Sequence, residues 1–346
     1  MKIFERKKRR SILVGGVKIG GNDPIIIQSM TKTNPLDQKA TLKQIKSIKK
    51  NGGEIVRLAV PCQESAKIFA NLAKVSPLPL VADIHFDFRL AIFCAQNGAS
   101  KIRFNPGNIG EKENIKKLVK ACLKAKIPIR IGVNCGSLEK KFSQAKAQNL
   151  VKSALSHVKI LEKENFYNIC LSVKSSEVRT NILANQILAS KTNYPLHIGV
   201  TEAGVKEIAT IKSATCLGAL LPFGIGDTIR ISMTDQPEEE IKVAKEILQS
   251  LSLRKLSREF ISCPGCGRVK FALQKIAQEI FQKTKNLPVN LKLAVMGCSV
   301  NGPGEAKNAD YAIVGADKYL LIFKKGKIIK KTTEKNVIKE FLNLLP

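Results

Sequence analysis

The chain has 346 residues, 44% hydrophobic and 25% charged, a balance that excludes an intrinsically disordered protein. Its 58 lysines and arginines outnumber its 28 acidic residues, giving a formal net charge of +30, which favours an anionic partner such as nucleic acid, a membrane surface, an acidic protein or a phosphate ligand. The longest apolar run is broken by Pro222 and falls short of the roughly 20 residues that span a bilayer, so no membrane segment is predicted. Nine cysteines without a regular framework, and no signal-peptide core, predict a cytoplasmic protein.

Alternating strand and helix patterns dominate the first 250 residues. A hairpin turning at Gly15 and Gly16 is predicted over residues 11–20, as a plug on the floor of the fold. Strands are then predicted at residues 25–29, 55–58, 80–82, 101–104, 127–133, 168–173, 196–200 and 228–231. Helical periodicity is found at residues 41–51, 63–75, 114–125, 144–163 and 237–251, among others. Eight strands alternating with helices over about 250 residues predict an α/β chain with a TIM-type (β/α)8 barrel.

The pattern changes after the barrel. We expect the barrel at residues 1–251, a mostly polar linker at 252–258 and a smaller α+β domain at 259–346. In this smaller domain, strands are predicted at residues 260–262, 291–295, 311–314 and 319–323, and helices near 267–284 and 333–344.

Basic and polar residues stand at the carboxyl ends of the predicted barrel strands, where barrel enzymes carry their chemistry. They are Arg57, Asp83, His85, Arg103, Arg130, Asn134, Lys174, Glu202, Arg230 and Ser232. Arginine suits bidentate recognition of phosphate oxygens, so four arginines from four strands indicate a diphosphate ligand. Any one of them could instead pair with a loop carboxylate, but these motifs contain only two acids.

The strand-end acids and the histidines each admit more than one role. Glu202 is a candidate general acid or base, and equally a carboxylate near the start of the next helix. Asp83 either orients His85, two residues along the same strand, or both are structural. We expect His157 on the surface and His197 as a hydrogen-bonded residue of the barrel.

Three cysteines lie in the smaller domain. Cys263 and Cys266 form a C-x2-C pair, a motif shared by zinc, redox and iron–sulfur sites, and Cys298 follows 32 residues later. No histidine follows His197 to complete a zinc site. Three thiolates would hold three irons of a 4Fe–4S cluster, and Glu305 is the obvious oxygen donor for the fourth. The other six cysteines are expected to be small buried residues.

Together these motifs resemble the bacterial 4-hydroxy-3-methylbut-2-enyl diphosphate synthase family, which belongs to the non-mevalonate isoprenoid pathway. The matching stretches run in order through nearly the whole chain, at residues 28–31 (QSMT), 81–86 (VADIHF), 101–108 (KIRFNPGN), 195–204 (PLHIGVTEAG), 224–230 (GIGDTIR), 263–268 (CPGCGR) and 296–305 (MGCSVNGPGE). One departure is Gly265, where Thr or Ser is expected between the two cysteines.

The resemblance implies a two-electron reductive ring opening of 2-C-methyl-D-erythritol 2,4-cyclodiphosphate, with electrons from flavodoxin or ferredoxin. It implies a homodimer acting head to tail, the cluster domain of one subunit closing over the barrel of the other. By position, Cys263, Cys266, Cys298 and Glu305 would ligate a 4Fe–4S cluster, and Glu202 would assist proton transfer. The residues that would hold the diphosphate are Arg57, His85, Arg103, Arg130, Asn134, Lys174, Arg230 and Ser232.

Two other functions fit parts of the sequence. A nucleic-acid-binding protein with a zinc module would explain the charge and the C-x2-C pair, but 5% aromatic residues without Trp provide few stacking platforms. A phosphosugar aldolase or isomerase could use Lys174, but would leave three cysteines and Glu305 without a role. The excess lysine is either a solvated face or steers an acidic electron carrier to the cluster domain.

Overall fold

The computed structural model describes residues 3–105, 112–138, 146–285, 287 and 289–346, and the chain divides into two compact units, Met1–Arg254 and Lys255–Pro346. Strands of the first unit are β1 (Ile12–Val14), β2 (Val17–Ile19), β3 (Ile26–Met30), β4 (Ile55–Ala59), β5 (Leu80–Ile84), β6 (Lys101–Phe104), β7 (Ile129–Asn134), β8 (Ile169–Lys174), β9 (His197–Ile198) and β10 (Thr228–Ile229). Its α-helices are α1 (Gln38–Asn51), α2 (Gln63–Val75), α3 (Phe88–Gln96), α4 (Lys112–Ala125), α5 (Ala147–Lys163), α6 (Val178–Lys191), α7 (Lys206–Gly218) and α8 (Pro237–Ser250).

The strands β3 to β10 form a parallel barrel. Their order is β8-β7-β6-β5-β4-β3-β10-β9, and neighbouring strands along this order are hydrogen-bonded. A parallel bridge between Leu171 and Leu196 joins the two ends of the sheet, and the amide of Leu171 donates to the carbonyl of Pro195 at 2.9 Å. The predicted TIM-type barrel is therefore confirmed.

The predicted barrel strands agree with the structure to within two residues at either end. The last two are shorter than predicted because the backbone turns at Gly199, whose φ of 148° lies in the region that favours glycine. A Cβ atom at this position would collide with the carbonyl oxygen of Arg230. In the predicted helix 144–163, residues 144 and 145 lie outside the described part of the chain, as do residues 106–108 of the fourth-strand motif.

Burial of the central strands forces polar side chains into the barrel. Every residue of β5, β6 and β8 is buried, because helices cover the outer face and the opposite strands cover the inner one. Asp83, Lys101, Arg103 and Lys174 lie on these strands and must find their partners inside.

The hairpin β1–β2 is antiparallel, as predicted, and turns at Gly15 and Gly16, both with positive φ. Its residues Ile12, Val14 and Ile19 are buried against side chains near the amino ends of barrel strands: Ile26, Ile55, Val81 and Cys170. The hairpin thus packs on the floor of the barrel, opposite the carboxyl ends of the strands.

The second unit is built on one mixed sheet. Its strands are β11 (Glu259–Ser262), β12 (Lys292–Met296), β13 (Tyr311–Gly315), β14 (Leu320–Lys324) and β15 (Lys327–Thr332), in this order, with the first three parallel and the last two antiparallel. Its helices are α9 (Leu273–Lys283), α10 (Gly302–Lys307) and α11 (Val337–Leu342). Residues Ile276, Ile280, Leu293, Ile313 and Phe341 form part of its core.

Two elements of this unit were absent from the prediction. The edge strand β15 is lysine-rich and exposed along most of its length, so its sequence lacks the alternation that predicts a strand. Exposed lysines suit an edge because they discourage pairing with another chain. The short helix α10 begins in a segment with two glycines and Pro303, which predicts a turn rather than a helix.

The expectation that His157 lies on the surface was wrong. The residue is 5% exposed on α5, where its ring meets Phe104 edge-on at a centroid distance of 6.5 Å. Periodicity places it on the buried face of the helix together with Leu150 and Leu161. No helix among the described residues is long and apolar enough to cross a bilayer.

Candidate functional site

Asp83 is the centre of one charge cluster at the carboxyl ends of the barrel strands. Its Oδ1 lies 2.9 Å from Nη1 of Arg103, and its Oδ2 lies 3.4 Å from Nε of Arg57 and 3.5 Å from Nε2 of His85. Burial would raise the pKa of this carboxyl, but the charges of Arg57 and Arg103 outweigh it and hold the pKa well below its usual value. One buried carboxylate therefore orients three basic side chains from neighbouring strands.

Arg130 lies deeper in the barrel, with a side chain that is almost fully buried. Its Nη1 donates to Oε1 of Gln28 at 3.3 Å, and burial, followed by the charge of Arg103, lowers its pKa to about 10. Lys101, fully buried on the next strand, has a pKa lowered by burial to about 8. Neither cation forms an ion pair with a described carboxylate.

A second acid, Glu240, reaches the same end of the barrel from helix α8. It is 2% exposed, and its Oε1 lies 3.2 Å from Nη2 of Arg230 and 3.0 Å from Nζ of Lys32. Its Oε2 accepts a hydrogen bond from the hydroxyl of Ser29 at 3.3 Å. Glu240 thus forms an ion pair with Arg230 and orients it, as Asp83 does for Arg57 and Arg103.

Lys174 ends strand β8 inside the barrel and lies beside a histidine. Its Nζ is 3.3 Å from Nε2 of His197, whose Nδ1 is 2.7 Å from Oγ1 of Thr228. Burial lowers the pKa of Lys174 well below its usual value, and the charges of Arg230, Arg130, Arg57 and Arg103 lower it further. All four arginines therefore add to the positive charge around Lys174.

Several buried donors in this cradle have no hydrogen-bond partner among the described residues. They are Nε2 of Gln28 and the Nε atoms of Arg103, Arg130 and Arg230. Buried donors in native proteins are almost always paired, so unpaired ones from four strands suit an anion that accepts from all of them.

Glu202 follows β9 at the mouth of the barrel and is exposed. Its φ of 50° lies in the left-handed region, which is uncommon for a residue other than glycine and costs free energy. A Cβ atom on Gly136 would lie 4.0 Å from Oε1 of Glu202, so the carboxylate lies over the loop after β7.

The remaining predicted residues form the rim of the cradle. His85 has a side chain that is 46% exposed, Asn134 ends β7 half-buried, and Ser232 lies half-buried two residues beyond Arg230. The structure therefore brings the predicted barrel residues together at one end of the barrel.

The three cysteines of the second unit lie at one edge of its sheet. Cys263 and Cys266 follow β11, and Cys298 follows its parallel neighbour β12, so both loops leave at the carboxyl edge. The three thiols act together on Arg268, raising its pKa, with a hydrogen bond to Cys298 as the main cause. Hydrogen bonds from the amide of Val300 and from Arg268 lower the pKa of the Cys298 thiol.

Other cysteines behave differently. Burial raises the pKa of the thiols of Cys94, Cys122, Cys170 and Cys216, which are inert small side chains as expected. The expectation was wrong for Cys62 and Cys135, which are only half-buried.

A ligand set of three thiolates and one carboxylate suits an iron–sulfur cluster in its chemistry. Glu305 lies half-buried in the first turn of α10, seven residues after Cys298. Within the described part of the chain, no three Cys, His, Asp or Glu side chains are gathered closely enough to enclose a metal ion. The residues therefore fit a cluster by type and by a shared sheet edge.

The sequence analysis did not identify Glu240 or Lys32 as residues of the site. Helical spacing offered a signal, because Glu240 shares the buried face of α8 with Ile241, Ala244 and Ile247.

Comparisons with known proteins agree with the two units. A family model described as the GcpE TIM-barrel domain matches residues 9–245, and one described as the GcpE protein C-terminal domain matches residues 259–346. A 4-hydroxy-3-methylbut-2-en-1-yl diphosphate synthase (flavodoxin) of Caldanaerobacter subterraneus subsp. tengcongensis is 51% identical over 341 residues, which are 97% of this chain and 96% of the relative. The enzyme of the same name from Clostridium perfringens is 50% identical over 99% of both chains.

Solved structures agree with the fold alone. A dihydropteroate synthase from Stenotrophomonas maltophilia has a TM-score of 0.53 at 12% identity, over 70% of this chain and 98% of its own. One from Yersinia pestis has a TM-score of 0.51 at 11% identity, over 71% of this chain and all of its own. The family models and the relatives at about half identity decide the assignment: the chain belongs to the GcpE family, that of the 4-hydroxy-3-methylbut-2-en-1-yl diphosphate synthases.

Proposed function

We propose that this protein is an oxidoreductase that converts 2-C-methyl-D-erythritol 2,4-cyclodiphosphate to (E)-4-hydroxy-3-methylbut-2-enyl diphosphate. A carbon–oxygen bond to the diphosphate breaks, a hydroxyl leaves as water, and two electrons and protons balance the reaction. The observation that carries the proposal is the cationic cradle at the mouth of the barrel, in which four buried donors have no hydrogen-bond partner among the described residues. Family membership supports this choice among the anions that such a cradle could hold.

The barrel residues bind and orient the diphosphate. Arg103, Arg130 and Arg230 offer their free Nε donors to the phosphate oxygens, and Lys174 adds a buried amine. Arg57 is drawn to Asp83, so its position is set before the ligand arrives. Fixed donors in a buried site stabilise the leaving phosphate without reorganisation.

The outer residues complete the cradle at its rim. We assign His85, Asn134 and Ser232 to the exposed side of the diphosphate, because each of them is half-buried or exposed at the carboxyl end of its strand. Their hydrogen bonds would be partly shared with water, so each contributes less than a buried arginine.

Glu202 holds the proton that the departing hydroxyl requires. Its carboxylate lies at the mouth of the barrel, and its strained backbone is maintained by the surrounding fold. As a carboxylic acid, Glu202 would pass its proton to the departing hydroxyl and regain one from solvent.

Cys263, Cys266, Cys298 and Glu305 would hold a 4Fe–4S cluster. When bound, the cluster would supply low-potential electrons one at a time. Hydrogen bonds from the amide of Val300 and from Arg268 lower the pKa of the Cys298 thiol and so favour the thiolate that such a centre requires. Glu305 is the weaker, oxygen ligand of the set.

Flavodoxin is the electron donor that we propose, as in the names of the relatives. The second unit carries 17 lysines and arginines against 7 acidic residues from Lys255 onwards, which would attract an acidic carrier. Rates of electron transfer should then fall as salt rises, and a rate independent of salt would contradict this steering. The head-to-tail homodimer stays a prediction.

The experiment that tests the proposed reaction is turnover of the purified cyclodiphosphate by anaerobically prepared protein with chemically reduced flavodoxin. Formation of the linear diphosphate, detected by mass spectrometry, would support it. A protein that carries a cluster and binds the cyclodiphosphate but forms no linear product would contradict it.

A further inference from the structure

Lys174, His197 and Thr228 form a buried chain of hydrogen-bonding groups across three strands of the barrel. The amine of Lys174 is 3.3 Å from Nε2 of His197, and Nδ1 of His197 is 2.7 Å from Oγ1 of Thr228. Lys174 is 8% exposed, His197 1% and Thr228 not at all. All three groups therefore lie in the interior of the barrel, and only Lys174 retains a small exposure to solvent.

Lys174, like Arg130 but unlike the other three arginines around it, has no acidic partner among the described residues. Arg57 and Arg103 pair with Asp83, and Arg230 pairs with Glu240, but no described carboxylate forms an ion pair with Lys174. Charged and titratable groups that face its amine are Arg57, Arg103, Arg130, Arg230, His197 and Cys216. None of them carries negative charge at neutral pH, since burial raises the pKa of the Cys216 thiol.

The histidine in this chain is a neutral imidazole. Burial, and then the charges of Arg130 and Lys174, lower its pKa well below its usual value. A neutral imidazole has one donor and one acceptor nitrogen. When Nδ1–H donates to the Thr228 hydroxyl, Nε2 is left to accept from the amine of Lys174.

Gly199 leaves room for the amine. A Cβ atom at this position would lie 3.1 Å from Nζ of Lys174, closer than ordinary van der Waals contact, so a residue with a side chain would crowd the amine. The absence of a side chain at Gly199 therefore lets the amine lie beside the imidazole of His197.

We propose that His197 and Thr228 are positioning residues that hold Lys174 as a neutral amine in the empty cradle, ready to take up one proton when a diphosphate binds. This proposal rests on the proposed function, because it takes the ligand to be the cyclodiphosphate. The proton comes from solvent and binds the lone pair of Nζ, and no other bond changes. A bound dianion supplies the negative charge that the site lacks, so protonation of Lys174 becomes favourable.

Calorimetry tests the proton uptake directly. The cyclodiphosphate would be titrated into cluster-loaded protein without reductant, in buffers of different ionisation enthalpy, from about pH 6 to pH 9. Each phosphorus of this ligand carries one ester bond and one anhydride bond, so its single acidic oxygen remains ionised over this range and any proton bound must be taken up by the protein. We expect uptake that approaches one proton per ligand at the alkaline end and disappears at the acid end, where the amine is already protonated.

Failure of this proposal and failure of the proposed function give different results. Binding without proton uptake at every pH would overturn the role of Lys174 and leave the proposed function standing. No binding of the cyclodiphosphate would overturn both. These outcomes need only the unaltered protein, so they do not depend on whether a variant folds.

A pair of substitutions at Thr228 tests the positioning role. Thr228→Val removes the hydroxyl with little change in shape, whereas Thr228→Ser keeps it. We expect Thr228→Val to weaken cyclodiphosphate binding about tenfold and to change the pH dependence of proton uptake, because His197 loses the acceptor that fixes its tautomer. Thr228→Ser should restore both.

The buried histidine of helix α5 supplies a matched control. His157→Gln removes an imidazole that is equally buried but remote from the cradle, so it should alter thermal stability and leave proton uptake unchanged. If Thr228→Val and Thr228→Ser bind the ligand with the same affinity and the same proton uptake as the unaltered protein, the positioning role is wrong.

Discussion

Oδ1 of Asp83 lies 2.9 Å from Nη1 of Arg103, on the adjacent strand, at positions that are direct partners in the β5–β6 register. Both side chains are almost fully buried. A second bond from Nη2 of Arg103 to the carbonyl of Gly132 fixes the guanidinium plane. The pair prepares the cradle before the ligand binds, and it leaves Nε of Arg103 free for that ligand.

Asp83→Asn should destabilise the barrel by about 3–5 kcal/mol, because it leaves Arg57 and Arg103 buried without a counter-charge. Denaturant unfolding of both proteins measures the change. The control is Asp87→Asn, four residues along the chain, where the carboxylate pairs with an exposed Arg89 and caps α3. Asparagine caps a helix as well as aspartate does, so this variant should unfold like the unaltered protein.

The ionisation of Asp83 should make the free energy of unfolding depend on pH. Its pKa in the folded protein lies well below the usual value, so the folded state favours the ionised form. Its contribution is therefore complete above about pH 4 and is lost as pH falls toward the folded-state pKa. Between pH 7 and pH 3 the unaltered protein should lose more unfolding free energy than Asp83→Asn, and equal losses would contradict the assignment.

Glu240→Gln should raise KM for the cyclodiphosphate about tenfold, with a smaller effect on kcat, because Arg230 and Lys32 lose their shared partner. Glu239→Gln is the matched control, since the neighbouring carboxylate pairs with the exposed Lys206. KM for the two variants is measured by steady-state kinetics. If both gave the same KM, Glu240 would not position Arg230.

The sequence predicts the barrel well because parallel strands buried on both faces have unbroken apolar runs that end in polar residues. The same regularity places Asp83 and Arg103 at the correct end of the barrel. Glu240 could not be assigned in this way, because its helix follows the last strand and its carboxylate reaches the cradle through tertiary packing. The pairing of Lys174 with His197 likewise depends on the closure of the barrel between β8 and β9, which no local pattern shows.

Glu202→Gln should bind the cyclodiphosphate with nearly unchanged affinity while kcat falls by about 10²–10⁴, because the amide cannot donate the proton. Binding is measured by calorimetry, and turnover with reduced flavodoxin. Glu207→Gln, in the first turn of α7, removes a nearby carboxylate that lies outside the cradle and should keep full turnover. If Glu202→Gln retained full turnover, another group would have to donate the proton.

Cys298→Ser should abolish or greatly reduce the bound iron, because serine is a poor replacement for the thiolate that Arg268 and the amide of Val300 stabilise. Cys62→Ser changes a half-buried cysteine at the start of α2, where serine is a good helix cap, and should retain its iron. Iron analysis after anaerobic purification compares the two. If the two variants contained the same amount of iron, Cys298 would not be a ligand of the cluster.

The central claim is that one chain combines a cationic cradle with a 4Fe–4S cluster. Its most direct measurement is the iron, sulfide and zinc content of anaerobically purified protein, together with its visible absorption spectrum. We expect a brown protein with about four irons and four sulfides per chain, whose absorption bleaches on reduction. A colourless protein with stoichiometric zinc and no iron would contradict it.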